Sequence, residues 1–144
     1  MFKLAGCLLV LCSTVFISCQ KVLENYYTYK FLNDIYHTVR KIQYENSINM
    51  PYSRIFERIK FKKDDYMTKA KTNGYINRDE IITVQMFFDN LGKRDRMAEC
   101  EYISQNKDNF KARAQHYLED YNNIKKTHLL CGIACGLFII IFLI

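Results

Sequence analysis

The residues able to do acid–base, metal or nucleophilic chemistry are few in this chain, and their spacing suits none of it. There are three histidines and six cysteines among 144 residues. His37, His116 and His128 are far apart. His116 sits near Glu119 and Asp120 on one helix, and a lone histidine beside carboxylates reads as a solvated face rather than a metal site. The pair Asp64–Asp65 reads as a helix start, where negative charge meets the unpaired amides of a first turn. Cys131 and Cys135 stand one turn apart, but no histidine or carboxylate accompanies them within the apolar segment, so they read as small, soft apolar residues. There is no His-Glu-x-x-His, no glycine-rich phosphate loop and no Gly-x-Ser-x-Gly. Catalytic, cofactor-binding and metal residues are therefore expected to number none, and the chain reads as a non-enzyme.

What remains is the chemistry of contact. Lys60, Lys62, Lys63, Lys69 and Lys71 form one basic group, and Lys93, Arg94 and Arg96 form a second. Acidic lipid attracts such residues at roughly 1 kcal/mol each near a membrane surface. Acids are interspersed and no nucleic-acid recognition fold shows itself, which leaves solvated surface or docking to protein or lipid; Lys93, Arg94 and Arg96 are the candidate docking charges. Eleven tyrosines and ten phenylalanines accompany no tryptophan. Tyr26, Tyr27, Tyr29, Tyr117 and Tyr121 suit core and membrane-edge packing, with an aromatic protein-binding face as the alternative. Gly132 and Gly136 form a Gly-x-x-x-Gly pair, which lets a second backbone approach one helix face. It fits packing against Ala5, Gly6 and Ser13 of the other apolar end, self-association, or a chance pairing of small residues.

These groups need positioning, and the ends of the chain set the frame. Leu4–Cys19 and Leu129–Ile144 are each sixteen residues without a charge. As helices they reach about 24 Å, short of a hydrocarbon core of roughly 30 Å, and flanking residues with slight bilayer thinning cover the remainder. Residues 1–20 and 129–144 are thus expected to be transmembrane segments around a domain at 21–128. The N-terminal run also fits a cleaved signal, and Phe16-Ile17-Ser18-Cys19 faintly fits a lipoprotein site, which makes an exported lipoprotein or surface-anchored adaptor the alternative. The chain carries a net charge of +6, and of its Lys and Arg residues only Lys3 lies outside the middle. Lys21, Lys125 and Lys126 flank the apolar runs, which places the domain on the cytoplasmic side with both termini across the membrane. Five of the six cysteines lie in the apolar ends, unlike a domain framed by disulfides.

Between the ends there is one proline and no linker or repeat, which predicts helices. Val22, Leu23, Tyr26, Tyr27, Phe31, Ile35, Tyr36, Val39 and Ile42 recur at three and four residues, predicting a helix that leaves the membrane and ends near Ser47. Pro51 opens a second helix with Tyr52, Ile55, Phe56 and Ile59 inward. A third runs from a capping Asp64 to Thr72 and closes on Asn73–Gly74 in a left-handed turn. Asn77 and Glu80 form a capping box for a fourth, with Ile81, Val84, Phe87, Phe88 and Leu91 buried and Gly92 as its stop. A fifth starts at Asp95, buries Cys100, Ile103, Phe110, Ala114, Tyr117, Tyr121 and Ile124 in near-heptad order interrupted by Lys107, and runs on into the C-terminal segment. The expected fold is an all-α, membrane-anchored helical bundle whose two long helices stand antiparallel, with three short helices packed on them.

The order of these features resembles the stage III sporulation protein AB family. The resemblance rests on Lys3-Leu4-Ala5-Gly6 opening a short apolar segment, on Met50-Pro51-Tyr52 ahead of Phe56-Glu57-Arg58-Ile59, and on Leu91-Gly92-x-x-Asp95-Arg96 before a long polar helix. Gly132, Gly136 and an aliphatic finish complete it. The sequence departs from the family at Tyr52 and Cys131, where leucine is usual, and near Glu99, where glutamine is usual. The resemblance implies a part in the secretion-like complex that links mother cell and forespore during engulfment. Members look like the helical domains of the inner-membrane platform protein of type II secretion and type IV pilus machines. It further implies a secretion-type ATPase of the stage III complex and other membrane subunits as partners, in the outer forespore membrane on the mother-cell side. It implies no catalytic residue.

Overall fold

Apolar residues at helical spacing, with breakers only at short intervals, give five helices in the computed structural model of the chain. They are α1 (Phe2–Asn46), α2 (Tyr52–Arg58), α3 (Lys63–Thr72), α4 (Arg78–Asp89) and α5 (Arg96–Leu143). The structure describes the backbone of residues 2–46 and 50–143, and the side chains of 16–17, 19–46, 50–128, 130–131 and 134. The described residues are all-α, as the periodicity predicts.

The two long helices carry the most extensive contact of the fold. Asn46 meets Cys100, Gln43 meets Lys107, and Tyr26 meets Tyr121. Residue numbers fall on α1 as they rise on α5, so the pair is antiparallel. Phe31, Leu32, Ile35, Val39 and Ile42 of α1 face Ile103, Phe110 and Ala114 of α5, all buried. Each such side chain taken out of water contributes roughly 1.5–3 kcal/mol if large. The short helices close the core with Ile55, Met67, Ala70, Ile81, Val84, Phe87 and Phe88. Rings run through it in contact: Tyr52 on Phe56, Phe56 on Phe61 and Phe88, Phe88 on Phe87, and Phe87 on Tyr102 and Phe110. Helix α3 rests on α1 through Tyr66, stacked on Phe31 at 5.8 Å. Burial, with Asp34 nearby, holds the Tyr66 hydroxyl well above the usual phenol range.

Several local details differ from the sequence expectation. The inward stripe of α1 continues through polar residues, Asn25, Thr28 and Glu45, while Leu23 and Tyr26 are part-exposed. Thr28 Oγ1 accepts the Asn77 amide at 3.0 Å, tying the start of α4 to α1. Lys62, not Asp64, precedes α3, and Asp64 and Asp65 lie in its first turn, where the helix dipole favours them. Asn73 is not left-handed; its φ is −81° and its Oδ1 accepts from the Tyr75 amide, so a side-chain turn ends α3. Asn77 does cap α4, accepting from the Asp79 amide at 2.9 Å. Glu80 does not complete the box; it turns inward. On α5 the predicted Ile103, Phe110 and Ala114 are buried, but at the helix start the phase is one residue off, so Glu99 is buried and Cys100 is exposed. The chain end of α1 at Ser47 lies outside the described residues.

The turn between α2 and α3 uses Lys60 where glycine is favoured, at φ +53°. The Phe61 amide donates to the Phe56 carbonyl and the Lys60 amide to that of Glu57. This is a Schellman stop, completed by the packing of Phe61 on Phe56.

Among the described residues no helix is long and apolar enough to cross a membrane. The backbones of α1 and α5 run through Leu4–Cys19 and Leu129–Leu143. Most side chains of those two segments, including Gly132 and Gly136, lie outside the described residues, so the expected spans and glycine contact are not displayed.

Candidate functional site

Three glutamates are buried, and each meets an arginine where two elements join. Glu45, near the end of α1, accepts from Arg58 of α2 at 3.1 Å. Glu80 of α4 accepts from Arg113 of α5 at 2.6 Å and from the Tyr117 hydroxyl at 3.3 Å. Burial first, then the neighbouring Glu80 charge, pushes Tyr117 up to about 12. Glu99 forms the third junction, and it organises the corner that carries the basic loop.

At that corner Glu99 Oε1 accepts from the Gly92 amide at 2.7 Å and from the Tyr52 hydroxyl at 2.8 Å. Its other oxygen has no hydrogen bond; the Arg94 guanidinium stands 3.8 Å away. Arg94 also donates to the Asn90 carbonyl at 2.9 Å and lies over the Tyr102 ring at 3.6 Å, within reach for cation–π attraction. Burial and the adjacent Glu99 hold the Tyr52 hydroxyl far above the usual range. Tyr102 is raised too, chiefly by burial, with Arg94 acting in the opposite direction. Gly92 is required by geometry. Its φ is +79°, and a Cβ there would come within 3.3 Å of Tyr52 Cδ2. Asp95 caps α5 by accepting the Ala98 amide at 2.9 Å.

The candidate docking charges separate here. Arg94 folds over the corner and holds it, its side chain still 33% exposed. Lys93 and Arg96 project into solvent beside it, Lys93 donating to Asn90 at 3.3 Å. Next to Arg96, Met97 is 86% exposed, an apolar neighbour not singled out from the sequence. Of the other basic group, Lys63 is committed to Asp89 at 2.6 Å, which holds that carboxyl below its usual range and ties α3 to α4. His116 lies 3.7 Å from Asp120 on an exposed face, and among the described residues no cluster of metal-ligand type forms. Glu99 and Tyr52 were missed as site residues. A signal existed, since stepping back four from Ile103 reaches Glu99, whereas a step of three reaches the more apolar Cys100.

The fold is thus an all-helical bundle on two long antiparallel helices, with a hydrogen-bonded corner presenting basic residues. Met50-Pro51-Tyr52 and Leu91-Gly92-x-x-Asp95-Arg96, distant in sequence, meet at that corner. The sequence model of the stage III sporulation protein AB family matches residues 64–144, more than half of the chain, and the chain belongs to that family. The match covers α3, α4, the Leu91–Arg96 loop and α5, and Met50–Tyr52 lies ahead of it. Membership gives the chain a role in stage III of sporulation. No curated protein and no solved structure matches the chain.

Proposed function

We propose that this chain is a non-enzymatic platform subunit of a secretion-like sporulation complex between mother cell and forespore. A helical domain at residues 21–128 stands on the cytoplasmic face of the outer forespore membrane, on the mother-cell side. Residues 1–20 and 129–144 anchor it, and Gly132 and Gly136 pack the anchors or bring in other membrane subunits. The observation that carries the reading is the continuity of both long helices with the two charge-free ends of the chain. Two antiparallel helices joined at the far end by short packed elements form a lever fixed at one face. That suits a part that receives a partner on its domain and passes force or position into the membrane.

The partner on the domain is the secretion-type ATPase of the same stage. Lys93, on the loop fixed by Glu99 and Arg94, and Arg96, which opens α5 directly after it, are the charges free to meet it. The test is capture of that ATPase by the full chain in membranes. The Lys93→Glu/Arg96→Glu double variant is expected to weaken capture and flatten its salt dependence, since rim charges act on association and its screening. Arg94→Glu is unsuitable because it breaks the corner itself. Unchanged capture by a correctly folded double variant would remove the loop from the docking face.

A further inference from the structure

The turn between α3 and α4 reaches back to the same level as the base of α1. A cleft of about 350 Å³ is lined by Gln20 and Glu24 on one side and by Tyr75, Ile76, Asn77 and Arg78 on the other. Gln20 directly follows the charge-free run that ends at Cys19. Tyr75 is 45% exposed and stacks on Tyr27 at 5.7 Å. Across the helix pair, Tyr26 meets Tyr121 at 5.6 Å, and Lys125 lies 5.7 Å from the Tyr121 ring. Four tyrosines from α1, the α3–α4 turn and α5 therefore share one level, with Lys21, Arg78, Lys125 and Lys126 around them. Most of the acids there already have partners. Glu24 is occupied by Lys21 and Asn77, Glu119 accepts from Gln115, Asp120 faces His116, and Asp79 is exposed. The Arg78 side chain is exposed and makes no hydrogen bond or ion pair among the described residues.

Tyrosine gathers at membrane interfaces because its ring is apolar and its hydroxyl is wet. Basic side chains at that depth meet lipid phosphate. We propose that the α3–α4 turn is a third contact with the bilayer, besides the two helix ends. Tyr75 sits at headgroup depth and Arg78 meets the phosphates of anionic lipid. The proposal rests on the membrane anchoring proposed above. It goes further by fixing the tilt and rotation of the domain, which the two anchoring segments alone do not define.

The chain has no tryptophan, so a single introduced one reports its own depth. The full chain carrying Phe16→Trp, Tyr75→Trp or Met97→Trp is reconstituted in vesicles of phosphatidylcholine and phosphatidylglycerol in equal parts. Quenchers are attached either to lipid headgroups or to acyl chains. Phe16→Trp is expected to respond to the acyl-chain label and Tyr75→Trp to the headgroup label. Met97→Trp, about 48 Å of helix from Leu129 at ~1.5 Å per residue, is expected to respond to neither. Arg78→Glu added to Tyr75→Trp is expected to reduce headgroup quenching several-fold. If Tyr75→Trp is quenched no more than Met97→Trp while Phe16→Trp is quenched, the turn does not touch the membrane and the proposal fails alone. If Phe16→Trp also escapes, the anchoring fails and takes the proposal with it. Full quenching that survives Arg78→Glu would overturn the phosphate contact.

Discussion

At the scale of single residues, a few buried polar groups hold the junctions between elements. Glu99 is 4% exposed and holds the Gly92 amide, the Tyr52 hydroxyl and, at longer range, Arg94. Removing one member of a buried set leaves the others unsatisfied at about 1–3 kcal/mol. Glu99→Ala is therefore expected to lose about that much in denaturant unfolding, and a change below a few tenths would contradict the corner described here. Lys60 gives the opposite sign. A left-handed backbone costs a side chain roughly 1–2 kcal/mol, and glycine removes that cost while gaining unfolded-state freedom. Lys60→Gly is expected to raise stability by about 0.5–1 kcal/mol, measured the same way. Titration supplies a third expectation. The Tyr117 hydroxyl is raised to about 12 in the folded chain, above its ordinary value. The unfolded phenol thus ionises first, so its contribution to stability is whole below about pH 10 and is lost as pH rises toward 12. Tyr52 shifts in the same direction. Phenolate absorbance is expected to show late-titrating tyrosines, and Tyr117→Phe to remove one of them.

At the scale of elements, the helices were legible where one periodic pattern decided them and illegible where two choices lay one residue apart. Stripes such as Phe31–Ile35–Val39–Ile42 and Ile81–Val84–Phe87–Phe88 fix both a helix and its buried face, and all eight residues are buried. The start of α5 misled because Cys100 is more apolar than Glu99, and apolarity outweighs phase in reading a sequence. What put Glu99 inside is a set of partners from Tyr52 and Gly92, which no local pattern contains. Glu80 misled for the same reason, since its capping spacing is sound but Arg113 and Tyr117 arrive from α5, more than thirty residues away in sequence. The same elements show where packing dominates. Phe87 is 2% exposed and touches Phe88, Tyr102 and Phe110, so it joins α4 to α5. Phe87→Ala is expected to cost about 3–5 kcal/mol, the usual range for a buried ring cut to a methyl. Thermal unfolding of the full chain in detergent would register this as a much larger shift than Met86→Ala on the exposed side of the same helix.

At the scale of the whole molecule, the design is a hairpin of two long helices whose far end is stitched by short ones. The antiparallel pairing was legible from two periodic stripes of matching length on either side of a helical middle. The meeting of Met50–Tyr52 with Leu91–Arg96 was not, because long-range hydrogen bonds leave no spacing to read. The basic loop and the glutamate corner fall at one end of the helix pair and the tyrosine-ringed base at the other; in the proposed function the first meets a protein partner and the second meets lipid. That arrangement requires both chain ends to lie on one side of a membrane and the domain on the other. Cysteine accessibility in intact cells tests it most directly, using a chain with its own cysteines replaced and one restored or introduced at a time. Cys100 is expected to resist a membrane-impermeant thiol reagent until the cells are opened, while cysteines placed at Phe2 and Ile144 react from outside. Labelling of Cys100 in intact cells, or the two ends reacting from opposite sides, would contradict the account.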